Sequence, residues 1–193
     1  MKTRDSGMPE AAQWETYFDP GGIFTTLGLA QHQETLVDIG CGYGTFTLAA
    51  ARCGWRRVIA LDIDLPSVEA LQARCLRESY ATVNVRQRDV VTDGFGLLDS
   101  EADVVLLFNL LHCEDPLRLL GETRRVLRPG GRVAIIHWRS DIPTPRGPSA
   151  SIRPLPDLCK EWLGKTGFEI TVPSTILPPY HYGLVGCKVD PAV

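Results

Sequence analysis

A strand that runs straight into three closely spaced glycines constrains this chain more than any other feature. Residues 35–39 read Thr-Leu-Val-Asp-Ile, and Gly40-Cys41-Gly42-Tyr43-Gly44 follows at once. A short run of aliphatic and β-branched residues suits a strand covered on both faces. The glycines after it permit a tight turn and let a ligand approach the backbone. Beyond them Phe46, Ala50 and Cys53 recur at helical spacing, so a helix begins where the glycines end, and Gly54 stops it. Strand, turn and helix N-terminus together aim free N–H groups at whatever lies beyond the turn.

The pattern then repeats. Further strands are expected at residues 57–61, 82–86, 103–108 and 132–137, with helices between them. Pro66 opens one helix, and Asp115-Pro116 opens another as an N-cap followed by proline at the first helical position. Short apolar strands alternating with helices make a parallel sheet wrapped by helices. Residues 140–156 hold five prolines and read as a long irregular loop. A helix near residues 158–165 and strands near 169–172 and 182–189 close the chain. Ahead of the first strand, Trp14, Tyr17 and Phe18 fall at helical spacing and predict an aromatic arm packed back onto the core.

Composition narrows the function classes. With 20 Lys and Arg against 23 Asp and Glu, the net charge is −3, and no basic stripe marks a nucleic-acid track. No apolar run approaches the ~20 residues of a membrane span. Residues 1–10 carry charge and lack an apolar stretch, so a secretory leader is not expected. Cys41, Cys53, Cys75, Cys113, Cys159 and Cys187 form no CxxC pair, which predicts a cytoplasmic protein with reduced thiols and no metal site. The residues give no oligomeric state.

The glycine spacing is GxGxG, one residue shorter than the dinucleotide fingerprint, and Asp38 stands two positions before the first glycine. A pyrophosphate gains nothing from a carboxylate at the turn. A ligand with an ammonium and a sulfonium does. Asp62 ends the second strand, where a carboxylate can take two hydrogen bonds from a ribose diol. The same position also suits a turn residue or helix cap.

These motifs resemble the class I S-adenosylmethionine-dependent methyltransferases. The likeness is carried by Val37-Asp38-Ile39-Gly40-Cys41-Gly42-Tyr43-Gly44, Leu61-Asp62-Ile63-Asp64, Arg88-Asp89-Val90, Asn109-Leu110-Leu111-His112 and Arg125-Val126-Leu127-Arg128-Pro129-Gly130-Gly131. The resemblance implies an α/β, Rossmann-like doubly wound sheet of about seven strands. The sheet would be mostly parallel, with an antiparallel last strand and helices on both faces. It also implies S-adenosylmethionine as cofactor. Asp38 and the backbone of Gly40, Gly42 and Gly44 would hold the methionine part, with Cys41 alongside. Asp62 and Ile63 would take the ribose side, Asp89 and Val90 the adenine, and Asn109 the methionine amino group. Tyr43 replaces a small residue common in the family and would line the sulfonium or shield the pocket. The chain then divides into an N-terminal aromatic arm (1–34), a cofactor-binding core (35–138) and a substrate loop with closing strands (139–193) in one domain.

The expected activity is in-line methyl transfer to an oxygen, nitrogen or sulfur of a small molecule. The alternatives are a cofactor-binding subunit without turnover and a methyltransferase that reaches a protein or nucleic acid through a partner. His112 is the candidate base, with a structural role equally open, and His137 reads as a buried, satisfied residue. Tyr17 of the arm and Arg139 and Arg146 of the proline-rich loop are the candidate substrate contacts. Together with Arg153, the loop arginines either grip a small anionic acceptor or pair with backbone carbonyls and local acids to fix the irregular loop. Cys41 and Cys113 also raise a soft metalloid as acceptor, although they show no ligand cluster. Pro178-Pro179-Tyr180 follows Leu177 near the C-terminus, so it does not match the Asn/Asp-Pro-Pro-Tyr signature of amino-methyltransferases after strand four.

Overall fold

The structure is a computed structural model that describes residues 10–30 and 34–189. Parts of the expected arm, residues 1–9 and 31–33, and the last four residues of the closing segment lie outside the described residues.

Seven strands form one sheet in the order β3-β2-β1-β4-β5-β7-β6. They are β1 (Thr35–Ile39), β2 (Arg57–Asp62), β3 (Val83–Gln87), β4 (Ala102–Phe108), β5 (Leu127–Trp138), β6 (Phe168–Leu177) and β7 (His181–Lys188). The first five are parallel, whereas β7 runs antiparallel to both β5 and β6. The chain winds outward from β1 to β3 and then crosses to β4 on the other side of β1. The β1/β4 seam is therefore the point where strand order reverses, which is where open α/β sheets bind ligands.

The sheet is covered on both faces. Helices α2 (Pro20–Thr26), α3 (Thr45–Arg52) and α4 (Leu65–Arg77) lie on one side. There Phe24, Phe46 and Ala50 pack on Leu36, Val104, Ala134 and Ile136, and Leu71 packs near Ala60. Helices α6 (Pro116–Val126) and α7 (Pro156–Lys165) cover the other side, where Leu119, Leu120 and Leu163 pack on Val105, Leu107 and Ile135. Two of these helix starts show their local cause plainly. Asp64 and Asp115 accept the backbone N–H of Ser67 and Arg118, each with proline in the first turn.

The expected strands and central helices are present, and several bounds differ. Strand β5 starts at Leu127 rather than 132, because Pro129-Gly130-Gly131 bulges out of the sheet instead of ending it. The register moves from Ala102↔Leu127 to Val104↔Arg132 across that bulge. Strand β6 is longer than expected and carries irregularities around Thr171 and Pro173. The arm holds two short helices, α1 (Ala11–Glu15) and α2. Asp19 caps α2 by accepting Gly22 N–H at 3.1 Å, and Pro20 follows at its first position. Helix α5 (Val90–Asp93) was also not expected. No helix among the described residues is long and apolar enough to cross a membrane.

Candidate functional site

The glycine turn is built as the site needs it. Gly40, Gly42 and Gly44 all have positive φ, at 68°, 49° and 80°. Gly40 N–H and Cys41 N–H both donate to the Leu61 carbonyl, at 2.7 and 3.1 Å. Gly42 N–H donates to Asp62 Oδ2 at 2.7 Å, and Asp64 N–H donates to Asp62 Oδ1 at 2.9 Å. Asp62 thus ties the turn to the end of β2. Each carboxylate oxygen keeps a further acceptor site, enough for a diol.

Asp38 is only 3% exposed and accepts a hydrogen bond from Thr47 Oγ1 at 2.6 Å. Burial, assisted by the nearby Asp62 charge, lifts its carboxyl to about 7 against the pull of Thr47. A carboxylate so placed lacks a cation. Burial, with the Asp38 and Asp62 charges, likewise pushes the Cys41 thiol far above its ordinary range, which makes it a poor nucleophile. Cys113 is half-buried and is also raised, mainly by burial.

Across the seam stands Asn109, directly after β4. Its φ is 59°, a left-handed conformation that costs a non-glycine residue about 1–3 kcal/mol. Its N–H donates to the Ile136 carbonyl at 2.8 Å, and its buried Oδ1 has no hydrogen-bond partner among the described residues. Thr45 Oγ1, at the first position of α3, is buried and unpartnered too. Asp89 caps α5, accepting Val91 N–H and Thr92 N–H at 3.1 and 3.2 Å. Ile63, after β2, is exposed and Val90, after β3, is half-buried, which leaves apolar surface beyond the ends of both strands. A donor with a cationic amino group, a sulfonium and a ribose fits these residues. Among the described residues the Asp38 charge faces no cation, Asn109 and Thr45 have oxygens to fill, and Gly40 is exposed at the start of the turn.

A match to the methyltransferase domain model covers residues 37–135. The chain belongs to this family. Its fold is that of the class I S-adenosylmethionine-dependent methyltransferases. A crystal structure of a SAM-dependent methyltransferase from Aquifex aeolicus superposes with a TM-score of 0.81 and 21% identity, covering 93% of this chain and 94% of that one. A ribosomal protein L11 methyltransferase from Anoxybacillus flavithermus is 33% identical over 143 residues, covering 61% of this methyltransferase chain and 44% of the relative. A 37.1 kDa protein of transposon TN4556 from Streptomyces fradiae is 40% identical over 109 residues, 55% of this chain and 30% of that protein. The chain therefore spans less than half the length of these curated relatives.

Beyond the donor end of the methyltransferase site, the acceptor side departs from expectation. His112 is half-buried, and burial lowers its pKa below the ordinary histidine value. Its Nδ1 lies 3.4 Å from His137 Nε2, one of the pair donating. His137 is fully buried as expected, yet its Nδ1 is unpartnered, so it is not a satisfied core histidine. The loop arginines are occupied within the loop. Arg139 forms a two-pronged pair with Asp141, Nε–Oδ1 at 3.0 Å and Nη2–Oδ2 at 2.7 Å. Arg153 donates to Pro148 O, Arg139 O, Thr144 Oγ1 and Arg146 O, and lies over the Trp138 ring. Arg146 itself is exposed, contributing its carbonyl to that network. Of the two readings of these arginines, Arg139 and Arg153 follow the loop-fixing one, because an irregular loop full of prolines must satisfy its carbonyls from side chains.

Arg153 is accordingly a staple of the loop. Arg153→Lys is expected to raise hydrogen exchange of the amides at residues 139–153 and speed proteolysis there, since an ammonium cannot span four oxygens arranged for a guanidinium. S-adenosylmethionine affinity should stay within about twofold, as the donor side does not touch this network.

Tyr17 is where the arm meets the core. It is 5% exposed, and its ring contacts Trp14, Trp138 and Tyr180 at centroid distances of 6.3, 5.6 and 5.8 Å. The structure buries His181 on the same sheet face as Trp138, its partner across the β5/β7 pair.

Proposed function

We propose that this chain methylates a small molecule with S-adenosylmethionine as donor. The observation that carries this reading is the set of unmet polar groups at the β1/β4 seam. Among the described residues Asp38 lacks a cation and Asn109 Oδ1 lacks a donor, while Asp62 holds the glycine turn in place. When bound there, S-adenosylmethionine supplies a methyl group on a cationic sulfur that needs no further activation.

The residues divide the remaining work. Asp38 and Asn109 meet the amino group of the donor, and the Gly40, Gly42 and Gly44 backbone, with Cys41, leaves room for its methionine part. Asp62 takes the ribose hydroxyls. Ile63 and Val90 flank the adenine, and Asp89, besides capping α5, faces its amino group. The arm and β7 close the acceptor side against water. Holding the acceptor in line can contribute about 7–11 kcal/mol of the barrier. His112 receives the acceptor's proton, and its Nδ1 contact to His137 orients the ring. A histidine kept neutral by burial is ready for that task.

A base of this kind has a kinetic signature. His112→Gln is expected to lower turnover about a hundredfold with donor affinity unchanged. Activity of the unaltered protein should fall on the acid side, at a pH below the ordinary histidine pKa, because protonated His112 cannot accept. The variant should lose that acid limb. A variant with an unchanged pH profile would remove His112 from the chemistry.

The acceptor class is read from the buried surroundings of Tyr17 and His181, into which a folded protein surface does not reach. The L11 methyltransferase relative favours a second reading, a protein acceptor. Methyl-labelled S-adenosylmethionine incubated with fractionated cell extract separates the two. Label in acid-soluble products supports the small-molecule reading, and label confined to precipitated protein overturns it.

A further inference from the structure

We propose that Tyr17 and His181 together recognise the polar group of the acceptor, and that the acceptor is an uncharged planar molecule bearing a hydroxyl or amide. The inference deepens the methyl-transfer reading and rests on it for the word acceptor. The binding site itself rests on the geometry.

His181 is 1% exposed, and both of its ring nitrogens lack a hydrogen-bond partner among the described residues. The Tyr17 hydroxyl is equally buried and unpartnered. Buried polar atoms are nearly always paired, so three unmet atoms on two neighbouring side chains call for a polar occupant. The two side chains share one neighbour. Trp138 lies 4.2 Å from the His181 ring and 5.6 Å from the Tyr17 ring, centroid to centroid. Phe18 stacks on the imidazole at 4.4 Å and 29°. With Phe18 and Trp138 against its faces, His181 can hydrogen-bond only along its edge.

The place is right for an acceptor. Trp138 ends β5, two residues beyond the Ile136 carbonyl that holds Asn109 N–H. The polar pair therefore stands beside the seam where the donor's residues converge. The rings of Trp14, Tyr17, Trp138 and Tyr180 around it favour a flat partner. Burial, with the nearby Arg153 charge, holds His181 neutral, near a pKa of about 3. A neutral imidazole and a phenol offer one donor and one acceptor each, which suits a hydroxyl or amide. Arg153 is the cation over Trp138, and its donors already face loop oxygens. Entry requires helix α1 to move, a five-residue helix without a side-chain cap that is anchored by half-buried Trp14 and the Glu15–Arg74 ion pair.

The test uses phenol, benzoate and toluene as probes, with saturation-transfer NMR on the full chain, both alone and saturated with S-adenosylhomocysteine. Phenol should bind saturably and more tightly than benzoate or toluene. Tyr17→Phe and His181→Phe should each weaken it at least fivefold, with melting temperature unchanged or raised. Tyr17→Phe removes one oxygen and keeps the ring, so it reports even if the histidine variant folds poorly. Phenol binding that survives Tyr17→Phe, or benzoate binding better than phenol, overturns the proposal. So does a fall in melting temperature with phenol binding intact, which would make these atoms ligands of buried water. S-adenosylhomocysteine affinity is measured separately. Its failure would strike the methyl-transfer reading and leave the phenol comparison standing.

Discussion

Asp38→Asn is expected to weaken S-adenosylmethionine binding about a hundredfold while leaving the free fold at least as stable. The two effects have one origin. Asp38 is buried at the carboxyl end of β1 and accepts a hydrogen bond from Thr47. An asparagine of the same shape keeps that bond through its carbonyl oxygen. What it removes is a charge that only the ligand's ammonium compensates. In the free protein burial raises this carboxyl to about 7, well above its unfolded value. The folded chain therefore holds more protons than the unfolded chain between about pH 4 and 7. Stability should fall as pH rises through that window and level off above it, and the variant should lose this slope in denaturant titrations. Binding has the opposite sign. The ammonium requires the ionised carboxylate, so affinity should rise with pH and be about tenfold weaker at pH 6 than at pH 8.

Gly44→Ala is expected to cost about 2–5 kcal/mol of stability, through two separate causes. The residue has φ of 80°, which an L side chain adopts only under strain. A Cβ placed there would also overlap Leu71 Cδ1, so α4 or its leucine must move. A fall of about 5–15 °C in melting temperature is the corresponding thermal shift for a domain of this size. Leu71→Ala added to Gly44→Ala relieves the contact and leaves the φ strain. It should therefore restore less than the contact's share, since the leucine's own burial is lost. A melting temperature within 2 °C of the unaltered protein for Gly44→Ala would mean that the turn does not hold the geometry described.

The donor half was legible because its signals are local. The Asp38–Gly44 turn, Asp62 and Asn109 each sit at the end of a strand whose apolar run marks it, and parallel winding brings such ends together. The acceptor half was less legible because it depends on contacts distant in sequence. Residue type alone left the loop arginines open between an anion site and the loop's own carbonyls and acids, and only the fold shows that Arg153 reaches the carbonyls at 139, 146 and 148. Nothing near His181 announces that Phe18 will lie on its ring. Period-two alternation assigns His181 a sheet face, but the arm that covers that face belongs to the other end of the chain. The α2 helix was hidden by Gly21-Gly22, which lowers helix propensity while the Asp19-Pro20 cap and the burial of Ile23 and Phe24 restore it.

The central claim is that the glycine turn, with Asp38, holds S-adenosylmethionine rather than a dinucleotide. Isothermal titration of the unaltered protein and Asp38→Asn with S-adenosylmethionine and with NAD, at pH 6 and pH 8, tests it most directly. The account predicts one bound S-adenosylmethionine, affinity about tenfold higher at pH 8, about a hundredfold loss in the variant, and no NAD binding. NAD bound in preference, or S-adenosylmethionine affinity unmoved by Asp38→Asn, would contradict it.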